Sequence, residues 1–268
     1  LSSDHQTIPQ ENIDAIRHAS AEGIRVCICT GRMLEDASDF ITSLQLPCMI
    51  IACNGTRISD GPLPKGHILY RRSFEPQDAK RVLDLVLPYR IMINGFEDGR
   101  VNTVAFAPDQ HYHLTDRGLI DASYGEKAIY EAAQRGIMKF YISADGYAGA
   151  NTSKHIEDAR KAIKSAFPEL QITQSAPDNI EIMPKDANKG TALAFLAQSL
   201  GLRREQVMAM GDAENDLSML EYAYHSVAMA NGTEKIKSVC RYQTMSNDEC
   251  GVAKMIDRVL EAMESQNE

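Results

Sequence analysis

The chain has 268 residues, 44% of them hydrophobic, and a formal net charge of −9 at pH 7. That is enough apolar material for a real core in one large domain or two modest ones. The acidic balance, with no dense Lys/Arg run, argues against nucleic acid or an anionic membrane surface as the main partner, and no apolar run reaches transmembrane length. Small phosphorylated molecules stay open, because they need only a few local cations. Six cysteines, Cys27, Cys29, Cys48, Cys53, Cys240 and Cys250, are scattered, four of them in apolar strand-like runs. They read as reduced thiols of a cytoplasmic protein rather than as zinc ligands or disulfides.

Taken in chain order, Pro9 suits the first turn of a helix that runs to about Ala21, with Ile13 and Ile16 on its apolar face and Gly23 closing it. A helix leading a β-α alternation has a strand ahead of it, and the opening residues LSSDHQTIP show none. Residues 24–29 (IRVCIC) predict a buried strand ending in Thr30-Gly31-Arg32, and a helix follows over 34–44. Residues 48–52 (CMIIA) predict a second strand, ending in Asn54-Gly55-Thr56. Polar, glycine-bearing turns at successive strand ends are the pattern of a parallel sheet. The Thr30 hydroxyl and the N–H groups at a helix start can hold a phosphate. Taken alone, however, Thr-Gly-Arg is better read as an ordinary cap and Asn54-Gly55 as an ordinary turn.

From Gly61 the texture changes. Gly61-Pro62-Leu63-Pro64 is linker-like. Strands are expected near 68–70, 90–94, 101–106, 136–143, 170–175 and 179–183, and helices near 76–87, 125–135 and 153–167. Paired strands with a few helices predict an α+β module inserted into the first domain. The boundaries expected are 1–60 and 178–268 for the core and 61–177 for the insert, with 170–183 a hairpin through Pro177-Asp178. Residues 107–123 are either a lid loop or irregular surface. His111 and His113 lack a third metal ligand nearby and read as surface residues.

The parallel alternation returns with Lys185-Asp186-Ala187-Asn188-Lys189-Gly190, which opens a helix to Leu200. Lys189 in a first helical turn opposes the helix dipole, and pairing with a bound anion is one reason for it to be there. Residues 206–210 are a mostly apolar strand that runs into Gly211 and then Asp212, Glu214, Asn215 and Asp216 before a helical pattern starts. Ligands sit at the carboxyl edge of open α/β sheets. Carboxylates crowded there repel and call for a hard cation such as Mg²⁺. An acidic helix start that merely satisfies the dipole explains the same stretch equally well. A strand at 226–229, the turn Asn231-Gly232, a short helix and a last helix over 251–263 complete the chain.

Thr30-Gly31-Arg32, Lys189-Gly190 and Gly211-Asp212-Ala213-Glu214-Asn215-Asp216 occur in that order with a large insert before the lysine. With Val227-Ala228-Met229-Ala230-Asn231 and Ser246-Asn247-Asp248-Glu249-Cys250-Gly251-Val252-Ala253, the set resembles the Cof-type branch of the haloacid dehalogenase-like hydrolases over essentially the whole chain. The resemblance implies an α/β fold, a Rossmann-like parallel-sheet core with an inserted α+β cap. It also implies a Mg²⁺-dependent phosphatase of a small phosphorylated metabolite, with a sugar phosphate as the substrate class expected, working through an aspartyl-phosphate. By that resemblance Asp212 is a metal ligand, and Asp216 orders the acidic loop and the waters of the metal. Lys189 neutralises the phosphate and the nucleophile. Thr30 and Gly31 hydrogen-bond the phosphoryl oxygens, Asn215 reaches the substrate phosphate, and Asn54 and Arg32 assist. A loose phosphoryl transition state spreads charge over its oxygens, so these are the right group types.

One departure is large. The family's first motif, DxDGT on a central strand, carries the nucleophile and the acid/base aspartate, and it is expected just upstream of Leu1, on roughly ten further residues of strand and turn. Without it the flanking strands keep unpaired backbone groups that cost ~1–3 kcal/mol each. No GxGxxG follows a strand and no GxxxxGK[ST] occurs, which argues against a dinucleotide-binding oxidoreductase and a P-loop NTPase. A non-catalytic binder of a phosphorylated ligand and a phosphomutase remain as alternatives on the same fold. The first is disfavoured by the retention of Thr30, Lys189, Asp212 and Asp216.

Overall fold

The computed structural model describes residues 7–42, 45, 48–106, 118–143, 152–175 and 178–267. The chain forms two compact units. One joins Leu1–Leu69 to Lys189–Glu268, and the other is the uninterrupted run Tyr70–Asn188. The region 107–117, His111, His113 and Pro177 lie outside the described residues.

The discontinuous unit begins with α1 (Gln10–Ala21), introduced by Pro9 as the turn chemistry requires. The strand β1 (Cys27–Cys29) pairs in parallel with β2 (Met49–Ala52) across the helix α2 (Leu34–Thr42). β2 then pairs antiparallel with β3 (Arg57–Ser59), and β4 (Ile68–Arg71) extends the sheet in the order β1-β2-β3-β4. The sequence reading contained no strand at β3. Two of its three residues are polar, yet Arg57, Ile58 and Ser59 are all buried, with Arg57 paired to Glu35 at 2.7 Å.

The chain enters the second unit through α3 (Pro76–Val86), β5 (Met92–Glu97), β6 (Arg100–Val104), β7 (Asp121–Tyr124), α4 (Glu126–Arg135) and β8 (Lys139–Ser143). It leaves through α5 (Thr152–Ala166), β9 (Gln171–Thr173) and β10 (Asn179–Met183). These strands form one six-stranded sheet, β7-β6-β5-β8-β10-β9, antiparallel except for the β6–β7 pair. The 170–183 hairpin is present, but β10 is laddered to β8. The second unit runs from Tyr70 to Asn188. One face of the sheet buries Ile93, Phe140, Ile142, Ile180 and Ile182 with Val82, Ile129 and Ile163 from the three helices. On its other face one row crosses all six strands: Tyr124, Thr103, Asn94, Tyr141, Glu181 and Thr173 stand opposite one another in register. Beside that row Lys139 and Glu181 make a buried ion pair at 2.9 Å.

The first unit resumes with α6 (Lys189–Ser199), β11 (Met208–Gly211), α7 (Leu217–Tyr222), β12 (His225–Ala228), α8 (Glu234–Val239), β13 (Tyr242–Gln243) and α9 (Gly251–Asn267). β11, β12 and β13 pair in parallel. The parallel ladders and their covering helices make this the α/β core. α1 and α9 close it: Ala15, Ile16 and Ala19 pack on Ala253, Ile256 and Leu260, and Asn12 Oδ1 accepts from the Ala253 N–H at 2.9 Å. No described helix is long and apolar enough to cross a membrane.

Candidate active site

The predicted residues meet at the carboxyl ends of the parallel strands. β1 ends at Cys29, so Thr30 and Gly31 fall in the turn before α2. The Arg32 N–H donates to Thr30 Oγ1 at 3.1 Å, a hydroxyl-capped turn of the kind short polar side chains build. The turn after β2 lies against it: the Thr30 N–H donates to Ile51 O at 2.8 Å and the Asn54 N–H to Thr30 O at 3.1 Å. Cys53 and Asn54 both take positive φ, 49° and 55°, a conformation asparagine tolerates better than most residues. This brings Asn54, 1% exposed, under Gly31. A Cβ at Gly31 would stand 2.9 Å from Asn54 Oδ1, so any larger residue would have to push that amide aside.

The third turn completes the group. Asp216 is buried and accepts on Oδ2 from the N–H groups of Asp212 at 3.0 Å and Ala213 at 3.2 Å. Its Oδ1 receives Lys189 Nζ at 2.6 Å. Asp216 thus shapes the acidic loop and neutralises the buried lysine, and the close fit leaves no room for a side chain at Gly211, whose Cβ would lie 2.6 Å from Asp216 Cβ. Asn215 Nδ2 donates to Asn54 Oδ1 at 3.3 Å, tying the acidic loop to the β2 turn. Lys189 is held where a cation opposes the dipole because α6 approaches α7 closely, with the Gly190 N–H on Ser218 Oγ at 3.1 Å.

Thr30, Gly31, Asn54, Asn215, Lys189, Asp212 and Asp216 are therefore one constellation. Arg32 stands differently. Its guanidinium runs forward along α2 to Asp36 at 2.7 Å and lies 4.4 Å from the Phe40 ring centroid. Sequence adjacency to Gly31 gave no sign of this, because the i,i+4 partner on the helix decides it. Two contacts absent from the sequence reading are Asn231 Nδ2 donating to Asp212 Oδ2 at 2.7 Å and the Asn247 N–H donating to Asn231 Oδ1 at 3.0 Å. Both asparagines lie in quoted motifs, yet spacing alone assigns them no partner.

As a cation site the carboxylates are all-oxygen, as Mg²⁺ prefers. Among the described residues no group of three His, Cys, Asp or Glu side chains gathers as a metal cluster. Asp212 is half-buried with one oxygen held by Asn231, whereas both oxygens of Asp216 serve protein donors. The set fits a Mg²⁺ that keeps several waters and takes few protein ligands.

The sequence matches the haloacid dehalogenase-like hydrolase family over residues 1–256. The chain belongs to that family. It is 32% identical to the 5-amino-6-(5-phospho-D-ribitylamino)uracil phosphatase YwtE of Bacillus subtilis (strain 168), across 97% of this chain and 94% of that protein. It is 30% identical to Phosphatase YwpJ of the same organism, across 97% and 96%. A solved haloacid dehalogenase-like hydrolase from B. subtilis superposes with a TM-score of 0.80 at 26% identity, covering 96% of this chain and 95% of that one. The Rossmann-like core and the enzyme class expected from the motifs, a phosphoric monoester hydrolase, hold for this family member.

Proposed function

We propose that the protein is a Mg²⁺-dependent phosphatase that cleaves a small phosphorylated metabolite through an aspartyl-phosphate. The observation that carries this reading is the convergence of Thr30, Gly31, Asn54 and Asn215 with the Lys189–Asp216–Asp212 chain at one sheet edge. The Thr30 hydroxyl and the Gly31 backbone bind phosphoryl oxygens, and the Asn215 amide orients them. Lys189 offsets the charge of the phosphate and of the nucleophile. Asp212 is the direct Mg²⁺ ligand, and Asp216 acts through the loop and the metal waters it orders. The cation supplies charge neutralisation at the phosphoryl oxygens, which is most of what such a loose transition state requires.

By the family resemblance the nucleophile is the first aspartate of a DxDGT motif on a strand lying between β1 and β11. The support is in the sheet edges. Among the described residues β1 is laddered only to β2 and β11 only to β12, although Cys29 of β1 packs into the same apolar cluster as Ala209 of β11. A strand between them satisfies both edges.

For the substrate we favour a sugar or sugar-alcohol phosphate. The support is that YwtE is named for a substrate whose phosphate sits on a ribityl chain. The cysteines of the described residues are thiols rather than disulfides, which suits the cytoplasm. The test is hydrolysis of a generic aryl phosphate by the protein carrying that motif, with and without Mg²⁺, beside Asp212→Ala. Metal-dependent turnover that vanishes in the variant is expected; turnover indifferent to Mg²⁺ and to Asp212 would overturn the reading.

A further inference from the structure

We infer that Asn231 is a positioning residue for Asp212, holding the carboxylate in the orientation a cation requires. This rests on the phosphatase reading above. The side-chain amide of Asn231 is addressed at both ends by groups whose roles are fixed. The Asn247 backbone N–H can only donate, and it reaches Oδ1 at 3.0 Å. The Asp212 carboxylate can only accept, and Nδ2 reaches its Oδ2 at 2.7 Å. An acceptor and a donor on one short planar group are what asparagine supplies. The network therefore fixes which way the amide points.

The anchor behind Asn231 is stiff. In the turn 246–251, Ser246 Oγ donates to Glu249 Oε2 at 2.6 Å, and the Gly251 N–H donates to Ser246 O at 2.9 Å. Thr244 Oγ1 closes onto Gly251 O at 2.7 Å, and a Cβ at Gly251 would collide with Met245 O. Asp212 is braced from the main-chain side as well, its N–H on Asp216 Oδ2 and its carbonyl accepting from the Thr233 N–H at 3.3 Å. With Oδ2 tied to Asn231, Asp212 Oδ1 is left to face a ligand. Partners behind a metal ligand of this kind set its orientation and tune affinity by roughly 10–100-fold.

The experiment is direct titration of Mn²⁺ by electron paramagnetic resonance into the protein and Asn231→Ala, with Mg²⁺ half-saturation, the KM for an aryl phosphate at saturating Mg²⁺ and a thermal melt alongside. Asn231 is exposed, so the variant is expected to melt like its parent. Mn²⁺ binding should weaken by roughly tenfold or more with a matching rise in Mg²⁺ half-saturation and no change in KM. Metal binding equal to the parent's would overturn the inference and leave the phosphatase reading standing. A parent protein that neither binds Mn²⁺ nor responds to Mg²⁺ would overturn both.

Discussion

Lys189 Nζ lies 2.6 Å from Asp216 Oδ1, and the two side chains are only 5% and 9% exposed. The same carboxylate holds the Asp212 and Ala213 N–H groups through its other oxygen. The pair therefore pins the acidic loop.

Removing Lys189 should hurt stability and chemistry together. Lys189→Met leaves Asp216 buried without its cation, which costs ~3–5 kcal/mol in comparable pairs. Urea unfolding reads that loss. Aryl phosphate hydrolysis should fall by roughly 10²-fold or more, as for loss of one group that stabilises transition-state charge. A variant with parental stability would show that the pair is not what holds the loop.

The second buried pair, Lys139–Glu181, makes a contrasting prediction. Lys139 lies 5.2 Å from the Phe96 ring centroid, and its ammonium meets Glu181 at 2.9 Å. Lys139→Met alone strands a buried carboxylate and should cost ~3–5 kcal/mol, whereas Lys139→Met with Glu181→Leu should recover most of it. A double-mutant cycle on denaturation midpoints measures the difference.

Two glycines separate crowding from backbone strain. At Gly190 an added Cβ would run into the Ser218 carbonyl, so Gly190→Ala must push α6 off α7 at ~1–3 kcal/mol, with activity falling because Lys189 moves too. Gly201 has φ 69° with nothing within 4 Å of the added atom. Gly201→Ala should cost only the left-handed penalty, ~1–2 kcal/mol, with turnover intact. Thermal melts and kinetics on both variants check the pair.

The buried thiol of Cys48 gives a pH dependence. Burial pushes it up to about 11 from an ordinary 9.0. The folded state thus disfavours the thiolate, and above pH 9 the unfolded chain binds fewer protons than the folded one. Its contribution to stability is complete below the ordinary value and is lost as pH rises toward 11. Alkylation at pH 8 should leave Cys48 untouched in the folded protein and modify it in urea. Substitution of Cys48 by Ala should flatten the alkaline limb of the stability curve.

The elements legible in the sequence were those whose burial is written in apolar runs. Met49–Ala52 is of that kind, while Asn179–Met183 and the helices opened by Pro76 and Gly125 show their burial as apolar periodicity. β3 was not, because its burial depends on Arg57 finding Glu35 twenty-two positions earlier. Nor was β13, two exposed residues laddered to β12. In the site, the acidic turn and the glycines announced themselves through local chemistry. The Arg32 orientation and the Asn231 bridge depend on partners that packing supplies, Asp36 one helical turn on and Asp212 nineteen residues back.

The interrupted path of the chain has a consequence for synthesis. Everything the six-stranded sheet needs lies in Tyr70–Asn188, so it can condense while later residues are still being made. The helix α1 emerges before that sheet, yet its apolar stripe of Ala15, Ile16 and Ala19 packs on residues of α9. Until Ala253, Ile256 and Leu260 leave the ribosome, that stripe is bare and sticky. The nascent chain therefore carries α1 without its α9 cover until α9 is made, and chaperone demand and proteolytic nicking should concentrate there.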